Sequence, residues 1–355
     1  MTRSEILPLN VLSFGAGALG TYVAGSLALQ GHHVVFLERL EVAEQLRSQG
    51  LRLTINGQLH ILQEVSIVGS MAEAIALGPF NIAIFALKSY DTANALASLL
   101  PYSENLPPVL CLQNGVTNEK MLSDALGSYK VIAGTVTSAV GRRDAGDITL
   151  ERLRGLGVAA GHPFSIQLVA ALDQAGLNAR LYENHADMKW SKLLTNLVGN
   201  ATSAILNMSP AEIYAHPGLY SLEVAQLREC LAVMKSQKIR AVNLPGTPVK
   251  LLAFGIIYLP HFISRMFLGH SVGKGRGAKM PSFHIDLHSG RGQSEVSYLN
   301  GGIVEAGNQL GIPTPANKTL TDTLLGLTFG KLKISDFDHQ PERLLAILQE
   351  VGHAG

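Results

Sequence analysis

The stretch VLSFGAGALG, residues 11–20, decides the fold of the first half of the chain. A short apolar run leads directly into a G-x-G-x-x-G pattern, and residues 21–39 then read as a helix, a stop at Gly31 and a second apolar strand. This order is typical of dinucleotide-binding domains, where the glycines permit a tight turn, a close approach of backbone amides to a pyrophosphate, and helix–strand packing. The pattern predicts that the cofactor phosphates are bound by Gly15, Ala16, Gly17, Ala18, Leu19 and Gly20.

The second strand ends in FLER, residues 36–39, and this end bears on the choice of nucleotide. Glu38 can accept hydrogen bonds from the ribose diol of NAD, whereas Arg39 can pair with the 2′-phosphate of NADP. The residues by themselves leave both cofactors open.

Two further segments, FNIAIFALKS (80–89) and PPVLCLQNGV (107–116), read as buried parallel strands that end in polar residues. Ligands of such sheets bind at the carboxyl ends of the strands. Lys88 and Asn114 therefore fall where a cofactor or substrate would bind. Taken singly, a solvated loop lysine and a turn asparagine are equally good interpretations.

The pattern of the chain changes near residue 184. Residues 130–140 and 146–161 read as further strands that close an antiparallel edge, and 165–183 as a helix and a strand. Helical periodicity without strand alternation follows. We therefore predict an α/β fold, with an N-terminal Rossmann-type doubly wound sheet over 9–183 and an all-α C-terminal domain over 184–355 for substrate and dimerisation. The apolar excess of this second half suits either a homodimer or a large helical core.

Composition narrows the class of protein. The 355 residues are 47% hydrophobic and 15% charged with a formal net charge of +1, which argues against disorder and gives no electrostatic case for nucleic acid or an anionic membrane. Cys111 and Cys230 provide neither a disulfide framework nor a metal cluster. No signal-peptide layout precedes the glycine motif, so we expect a cytoplasmic protein. The apolar run LLAFGIIYLP, residues 251–260, is too short to span a bilayer.

The run WSKLLTNLVGN, residues 190–200, places polar residues four apart in an apolar context. On one continuous helix, Lys192, Asn196 and Asn200 would form a line along the surface. An ammonium and two amides in such surroundings need partners, because burying them unpaired is costly. The line is either the floor of an active site or a hydrogen-bonded seam between domains.

Six segments, in order, together resemble the ketopantoate reductase family (2-dehydropantoate 2-reductases). They are GAGALG (15–20), ALKSYDT (86–92), LQNGV (112–116), WSKLLTNLVGN (190–200), PSFHIDLHSGRGQSEVSYLNGGIV (281–304) and IPTPANKTL (312–320). The glycine motif alone is shared by many dehydrogenases, whereas the ordered set is specific.

The resemblance implies roles for residues of the second half. Lys192 matches the family's general acid, and Asn196 and Asn200 match asparagines that hold the substrate. Ser282 and Glu295 match residues that contact the substrate's carboxylate and hydroxyl ends. These residue types suit the chemistry, because hydride delivery to a 2-oxo carbon leaves negative charge on oxygen, which an ammonium stabilises and protonates.

The resemblance also implies a cofactor. Lys88 and Asn114 match residues near the nicotinamide and substrate, and Arg39 matches the family's arginine for the 2′-phosphate. NADPH is therefore the expected cofactor, although the neighbouring Glu38 leaves NADH open.

The sequence departs from the family at three places. Pro210 stands where an asparagine is common, so a substrate contact is missing or supplied elsewhere, for example by Asn207. One extra residue precedes Glu295. Residues 243–281 form an insertion whose apolar half predicts a helix or helical hairpin. Its glycine-rich half carries Lys274, Arg276 and Lys279 and reads either as a lid over the site or as a surface loop.

We therefore expect NADPH-dependent reduction of a small-molecule 2-oxo acid, first of all 2-dehydropantoate to pantoate. The alternatives are a reductase of the same family that acts on a larger or more apolar carbonyl compound, and a non-catalytic NADP-binding sensor. His284 and His288 have a spacing that can bind zinc on a helix, but no third ligand is evident, so no metal is expected.

Overall fold

The structure is a computed structural model that describes residues 7–260, 265 and 280–353. Its backbone contacts divide the chain into two units. The first unit takes the described residues up to Lys189 together with the short segment Leu244–Thr247, and the second takes the other described residues.

The first unit alternates strands and helices along most of its length. Its strands are β1 (Asn10–Phe14), β2 (His33–Leu37), β3 (Leu51–Ile55), β4 (Gln58–Leu62), β5 (Ser66–Val68), β6 (Ile82–Phe85), β7 (Val109–Cys111), β8 (Val131–Val136), β9 (Ala139–Asp144), β10 (Asp147–Arg152), β11 (Leu156–Ala159) and β12 (Ala179–Tyr182). Its helices are α1 (Ala18–Leu29), α2 (Leu40–Gln49), α3 (Met71–Ala76), α4 (Thr92–Leu99), α5 (Asn118–Leu126) and α6 (Ser165–Gln174).

Within the described residues, eight of these strands form one sheet in the order β12-β11-β8-β7-β6-β1-β2-β5. Neighbouring strands are parallel except for β11 and β8, which are antiparallel. The strand order reverses beside β1, since β2 lies on one side of it and β6 on the other. Ligands of doubly wound sheets bind at the carboxyl ends of strands at such a point. The Rossmann-type fold is confirmed.

The other four strands form a second sheet that the sequence analysis did not predict, in the order β4-β3-β10-β9. The prediction that residues 130–161 close the edge of one sheet is therefore wrong for β9 and β10. A hairpin at Asn56 and Gly57 joins β3 to β4, and both turn residues have positive φ. Strand β10 then pairs parallel to β3.

The large sheet is buried on both faces, which explains its continuous apolar runs. In β1, Val11 and Leu12 are both fully buried, yet they belong to separate apolar clusters. Because successive side chains of a strand point to opposite faces, each face needs its own apolar cover.

From residue 184 onward the described residues are helical, apart from a bridge between Leu244 and Thr247 and short 3₁₀ turns. The all-α expectation for the C-terminal half is confirmed. The helices are α7 (His185–Leu197), α8 (Asn200–Leu206), α9 (Pro210–Ala215), α10 (Pro217–Ser236), α11 (Val249–Tyr258), α12 (Ser282–His288), α13 (Asn300–Leu310), α14 (Pro315–Thr328) and α15 (Pro341–His353).

The segment Leu244–Thr247 packs on the first unit although it follows α10 in the chain. The Thr137 hydroxyl lies 2.8 Å from the carbonyl oxygen of Pro245 and 3.0 Å from that of Gly155, and its single proton is shared between these two acceptors. The first unit is thus built from two separate stretches of chain.

The described part of the insertion's apolar half contains α11, as expected for a helix in this region. The rest of that half lies outside the described residues, and so does the choice between one helix and a helical hairpin. Among the described residues, no helix combines the length and the apolarity that a membrane crossing requires. Lys274, Arg276 and Lys279 lie outside the described residues. The structure therefore does not test whether this segment is a lid or a surface loop.

Candidate active site

The glycine motif forms the turn between β1 and α1. Gly15 has φ +89°, and its amide donates to the carbonyl oxygen of Leu37 at 3.0 Å. A Cβ at Gly20 would lie 2.1 Å from the Gly15 carbonyl oxygen, so only glycine allows α1 to approach the turn this closely. Both positions need glycine for packing of the protein itself.

Gly17 has a different environment. Among the described residues, a Cβ at this position would meet no protein atom within 4 Å, and no side chain caps the N-terminus of α1 that follows it. An uncapped helix N-terminus with open space in front is suited to an anion, because its first amides and the helix dipole both favour negative charge. The first-turn residues Ala18 and Leu19 would bind the pyrophosphate of a dinucleotide here.

Glu38 contacts the glycine turn from the end of β2. Its Oε1 accepts from the Ala16 amide at 2.5 Å, and its Oε2 accepts from the Arg39 amide at 3.2 Å. The carboxylate is half-buried, whereas Arg39 is exposed. The structure thus places Glu38 and Arg39, the two residues predicted to bear on nucleotide choice, directly after β2. Of these two, Glu38 contacts the glycine turn.

Lys88 and Asn114 follow β6 and β7, which are parallel neighbours. The Ser89 hydroxyl donates to the Asn114 carbonyl oxygen at 3.1 Å, and the Gln113 Nε2 donates to the Lys88 carbonyl oxygen at 3.3 Å. The structure therefore brings the two predicted segments together. Asn118 completes the network by donating from Nδ2 to the Asn114 carbonyl oxygen at 2.6 Å.

Lys189, which no sequence motif pointed to, is buried, hydrogen-bonded and ion-paired. Its Nζ donates to the carbonyl oxygens of Gln113 at 2.6 Å and Gly134 at 3.3 Å, and it lies 2.6 Å from Oε1 of Glu119, its counter-ion. Lys189 therefore anchors the start of α7 and is engaged by the protein itself. Nothing in the local sequence signals its partners.

Lys192 and Asn196 lie on α7, and both side chains are half-buried. The prediction of one continuous helix through residue 200 is wrong. Helix α7 ends at Leu197, Gly199 has φ +61°, and Asn200 is the first residue of α8. The left-handed glycine ends the regular helix, so Asn200 does not continue the line formed by the other two.

Asn200 is joined to the segment that carries Ser282. The Phe283 amide donates to Oδ1 of Asn200 at 3.2 Å in the first turn of α12, where Ser282 is the exposed first residue. Glu295 opens a 3₁₀ turn, and its side chain is buried. These residues all belong to the second unit.

The departure at Pro210 has a local structural reason. Pro210 is the first residue of α9, a favourable position for proline, and Ser209 before it forms a capping box with Glu212. The Asn207 amide, the suggested substitute for that contact, takes part in hydrogen bonds of the protein: its Nδ2 donates to Asp338 at 3.1 Å and its Oδ1 lies 2.8 Å from Nε2 of His284.

A doubly wound sheet whose first strand leads into a G-x-G-x-x-G turn, followed along the chain by an all-helical unit, is typical of nicotinamide-dependent oxidoreductases. Residues 11–160 match the family model described as ketopantoate reductase PanE/ApbA, and residues 184–328 match the model of its C-terminal part. The chain belongs to the ketopantoate reductase family and is an oxidoreductase.

Individual relatives agree with this assignment. The chain is 27% identical over 320 residues to a 2-dehydropantoate 2-reductase of Archaeoglobus fulgidus, covering 89% of this chain and 97% of the relative. It is 26% identical to a solved PanE/ApbA family ketopantoate reductase of Ralstonia eutropha JMP134, with a TM-score of 0.77 and 91% and 99% of the two chains covered.

A third similar protein shows that the fold is shared with a different activity. The structure of D-mandelate dehydrogenase with NADH and anilino(oxo)acetate has a TM-score of 0.74, 20% identity, and 91% and 99% of the two chains covered. Ketopantoate reductases depend on NADPH, so the expectation of a nicotinamide dinucleotide cofactor is confirmed.

Proposed function

We propose that this protein reduces 2-dehydropantoate to pantoate, a 2-oxo acid to a 2-hydroxy acid, with NADPH. The observation that carries the proposal is the different burial of the two lysines of α7. Lys189 is buried among groups of the protein, with Glu119 as its counter-ion. Lys192 has a partly exposed side chain one turn before Asn196, as a proton donor to a substrate requires.

The chemistry assigned to the chain's residues is proton transfer and orientation. When bound, the nicotinamide supplies the hydride. The Lys192 ammonium stabilises the charge that develops on the substrate's oxo oxygen and then donates its proton to that oxygen. Asn196 and Asn200 orient the oxo acid by neutral hydrogen bonds, and Ser282 and Glu295 contact its other polar groups.

The cofactor residues complete the proposal. The amides of the glycine turn bind the pyrophosphate, and Arg39 pairs with the 2′-phosphate of NADPH. Lys88 and Asn114 contact the nicotinamide end. NADH is the alternative, since Glu38 lies on the turn where a ribose diol would be recognised.

A kinetic comparison of Lys192→Ala with wild type tests the proposal. With ketopantoate and NADPH, we expect kcat to fall about 10²- to 10⁴-fold, the usual contribution of a positioned acid. The Kd for NADPH should not change. Lys331→Ala, which removes an exposed lysine, should behave like wild type. Normal turnover by Lys192→Ala would remove Lys192 from the mechanism.

A second candidate function is reduction of a more apolar 2-oxo acid. Proline replaces the family asparagine at position 210, and the fold is shared with D-mandelate dehydrogenase. A panel of ketopantoate, small aliphatic 2-oxo acids and phenylglyoxylate, each with NADPH and with NADH, separates the two. A higher kcat/KM for phenylglyoxylate than for ketopantoate would favour this second candidate.

A further inference from the structure

Glu223 is a fully buried acid in the second unit that the mechanism above does not use. It lies on α10, and its carboxylate accepts hydrogen bonds from a backbone amide and from side chains. The Gly199 amide donates to Oε2 at 2.7 Å, the Thr202 hydroxyl donates to Oε1 at 2.7 Å, and the Tyr214 hydroxyl donates to Oε2 at 3.1 Å. Burial of such a group is costly without these donors, so the arrangement needs an explanation.

The three donors surround the junction between α7 and α8. Gly199 is the left-handed residue of this junction, and Thr202 lies in the first turn of α8. An interruption of a buried helix leaves backbone amides without helical acceptors. Glu223 supplies that acceptor and places a carboxylate at the N-terminus of α8, where the helix dipole favours it.

The geometry of this junction determines where the candidate substrate groups lie. Asn196 precedes it in the last turn of α7, and Asn200 follows it as the first residue of α8. Asn200 in turn accepts from the Phe283 amide, next to Ser282. A change in the φ of Gly199 would therefore reorient Asn200 relative to Asn196 and loosen the start of α12.

We propose that Glu223 is a positioning residue for the 2-oxo acid: by holding the left-handed junction at Gly199 it sets the relative placement of Asn196, Asn200 and Ser282. This inference rests on the proposed function, because it assigns these three residues to substrate binding. It concerns the substrate side of the reaction alone and predicts no effect on the nucleotide.

The test compares Glu223→Ala with Glu223→Gln. Alanine removes every acceptor, and we expect the KM for the oxo acid to rise about 10- to 100-fold, as misplaced substrate contacts commonly cause. The Kd for NADPH should not change. Glutamine keeps an oxygen for Gly199 and Tyr214, and its amide nitrogen can donate to the Thr202 hydroxyl. Glu223→Gln should therefore restore a KM near that of wild type.

The matched control is Glu229, a half-buried acid on the same helix, α10. It accepts from the amides of Ala316 and Asn317, at 2.7 and 2.9 Å, at the start of α14. Glu229→Ala should lower the Tm as Glu223→Ala does but leave the KM unchanged. An equal rise in KM in both variants, or in neither, would show that Glu223 only stabilises the helical unit and would overturn the proposal.

A further variant covers the case in which Glu223→Ala does not fold. Gly199→Ala strains the left-handed residue directly, and its Cβ would lie 3.2 Å from the Cβ of Pro210. It should raise the KM with no change in NADPH binding, and an unchanged KM would overturn the proposal. Each KM is compared with that of wild type for an oxo acid that wild type reduces. If wild type reduces another oxo acid but not ketopantoate, only the proposed substrate is wrong. If wild type reduces no oxo acid, both the proposed function and the role of Glu223 are overturned.

Discussion

Glu38 is the residue whose position bears most directly on the proposed choice of nucleotide. Its carboxylate accepts from the amide of the glycine turn, close to where the ribose end of a dinucleotide is recognised. A 2′-phosphate would approach a negative charge there, whereas a diol would find an acceptor. Arg39 opposes this effect, but its exposed side chain is more strongly screened by solvent and salt.

Glu38→Gln should therefore shift the preference toward NADPH. Glutamine still accepts from the Ala16 amide, so the turn keeps its hydrogen bond while the charge is removed. We expect the ratio of kcat/KM for NADPH to that for NADH to rise about tenfold, the effect of roughly 1.4 kcal/mol. Glu41→Gln on α2 makes the same charge change at an exposed position and should leave the ratio alone. An unchanged ratio in both variants would exclude Glu38 as a determinant.

Site residues could be predicted from the sequence where their role depends on residues close to them in the chain. The glycine turn follows from its spacing together with the strand and helix patterns on either side, because the contact that requires glycine at position 20 is with the carbonyl oxygen of Gly15, five residues away. Lys189 and Glu223 were missed for the opposite reason. Their partners lie far away in the chain, Glu119 for the first and Gly199 for the second, so no local pattern encodes them.

At the scale of elements, helix α7 depends on one buried ion pair. Lys189 and Glu119 have side-chain exposures of 4% and 13%, and the pair ties the start of α7 to the segments that follow β7. A pair of this kind stabilises the fold mainly because removing one partner leaves the other buried and unpaired.

Lys189→Met should thus reduce the free energy of unfolding by about 3–5 kcal/mol, because Glu119 would lose its counter-ion. The double variant Lys189→Met/Glu119→Gln should recover much of this loss. Urea unfolding measures both. Lys120→Met supplies the comparison, since Lys120 forms an exposed pair with Asp124 at 2.6 Å that should contribute little. Equal losses in Lys189→Met and the double variant would contradict the ion-pair argument.

The hairpin of β3 and β4 shows why the second sheet was not predicted from the sequence. An Asn-Gly pair between two short alternating runs is a strong hairpin signal, and residues 51–62 contain it at Asn56 and Gly57. What no local signal contains is the partner of β3, because strand β10 lies more than ninety residues further along the chain. The second sheet is a product of this long-range pairing.

At the scale of the whole molecule, titratable groups that burial affects make opposite contributions to the pH dependence of folding stability. Burial raises the pKa of Glu223 and Glu229, so the folded state holds their protons more tightly than the unfolded chain does. Burial lowers the pKa of His32, and the charge of His33 lowers it further. The acids therefore favour folding at lower pH, and the histidine favours it at higher pH.

The histidine contribution can be isolated with His32→Asn. The Leu9 amide donates to Nδ1 of His32 at 3.0 Å, and an asparagine oxygen can accept in its place without titrating. Because the folded pKa lies below the ordinary 6.5, stability from this group is present above that value and is lost as the pH falls below it. Between pH values of about 7.5 and 5.5, we expect wild type to lose more unfolding free energy than His32→Asn.

Urea titrations at each pH check this difference. His60→Asn, a substitution on strand β4, controls for the loss of an imidazole elsewhere in the same unit and should follow wild type. If His32→Asn loses as much unfolding free energy as wild type over this range, protonation of His32 does not oppose folding.

The return of Leu244–Thr247 to the first unit has a consequence for the order in which the molecule is made. A ribosome releases residues 7–189 well before it reaches Pro245, whose carbonyl oxygen accepts from Thr137. The nucleotide-binding unit therefore lacks the segment Leu244–Thr247 while about fifty residues of the helical unit are synthesised. A gene fragment that stops after residue 189 would encode the incomplete form permanently. The two halves of this enzyme are separate in architecture but not in their biogenesis.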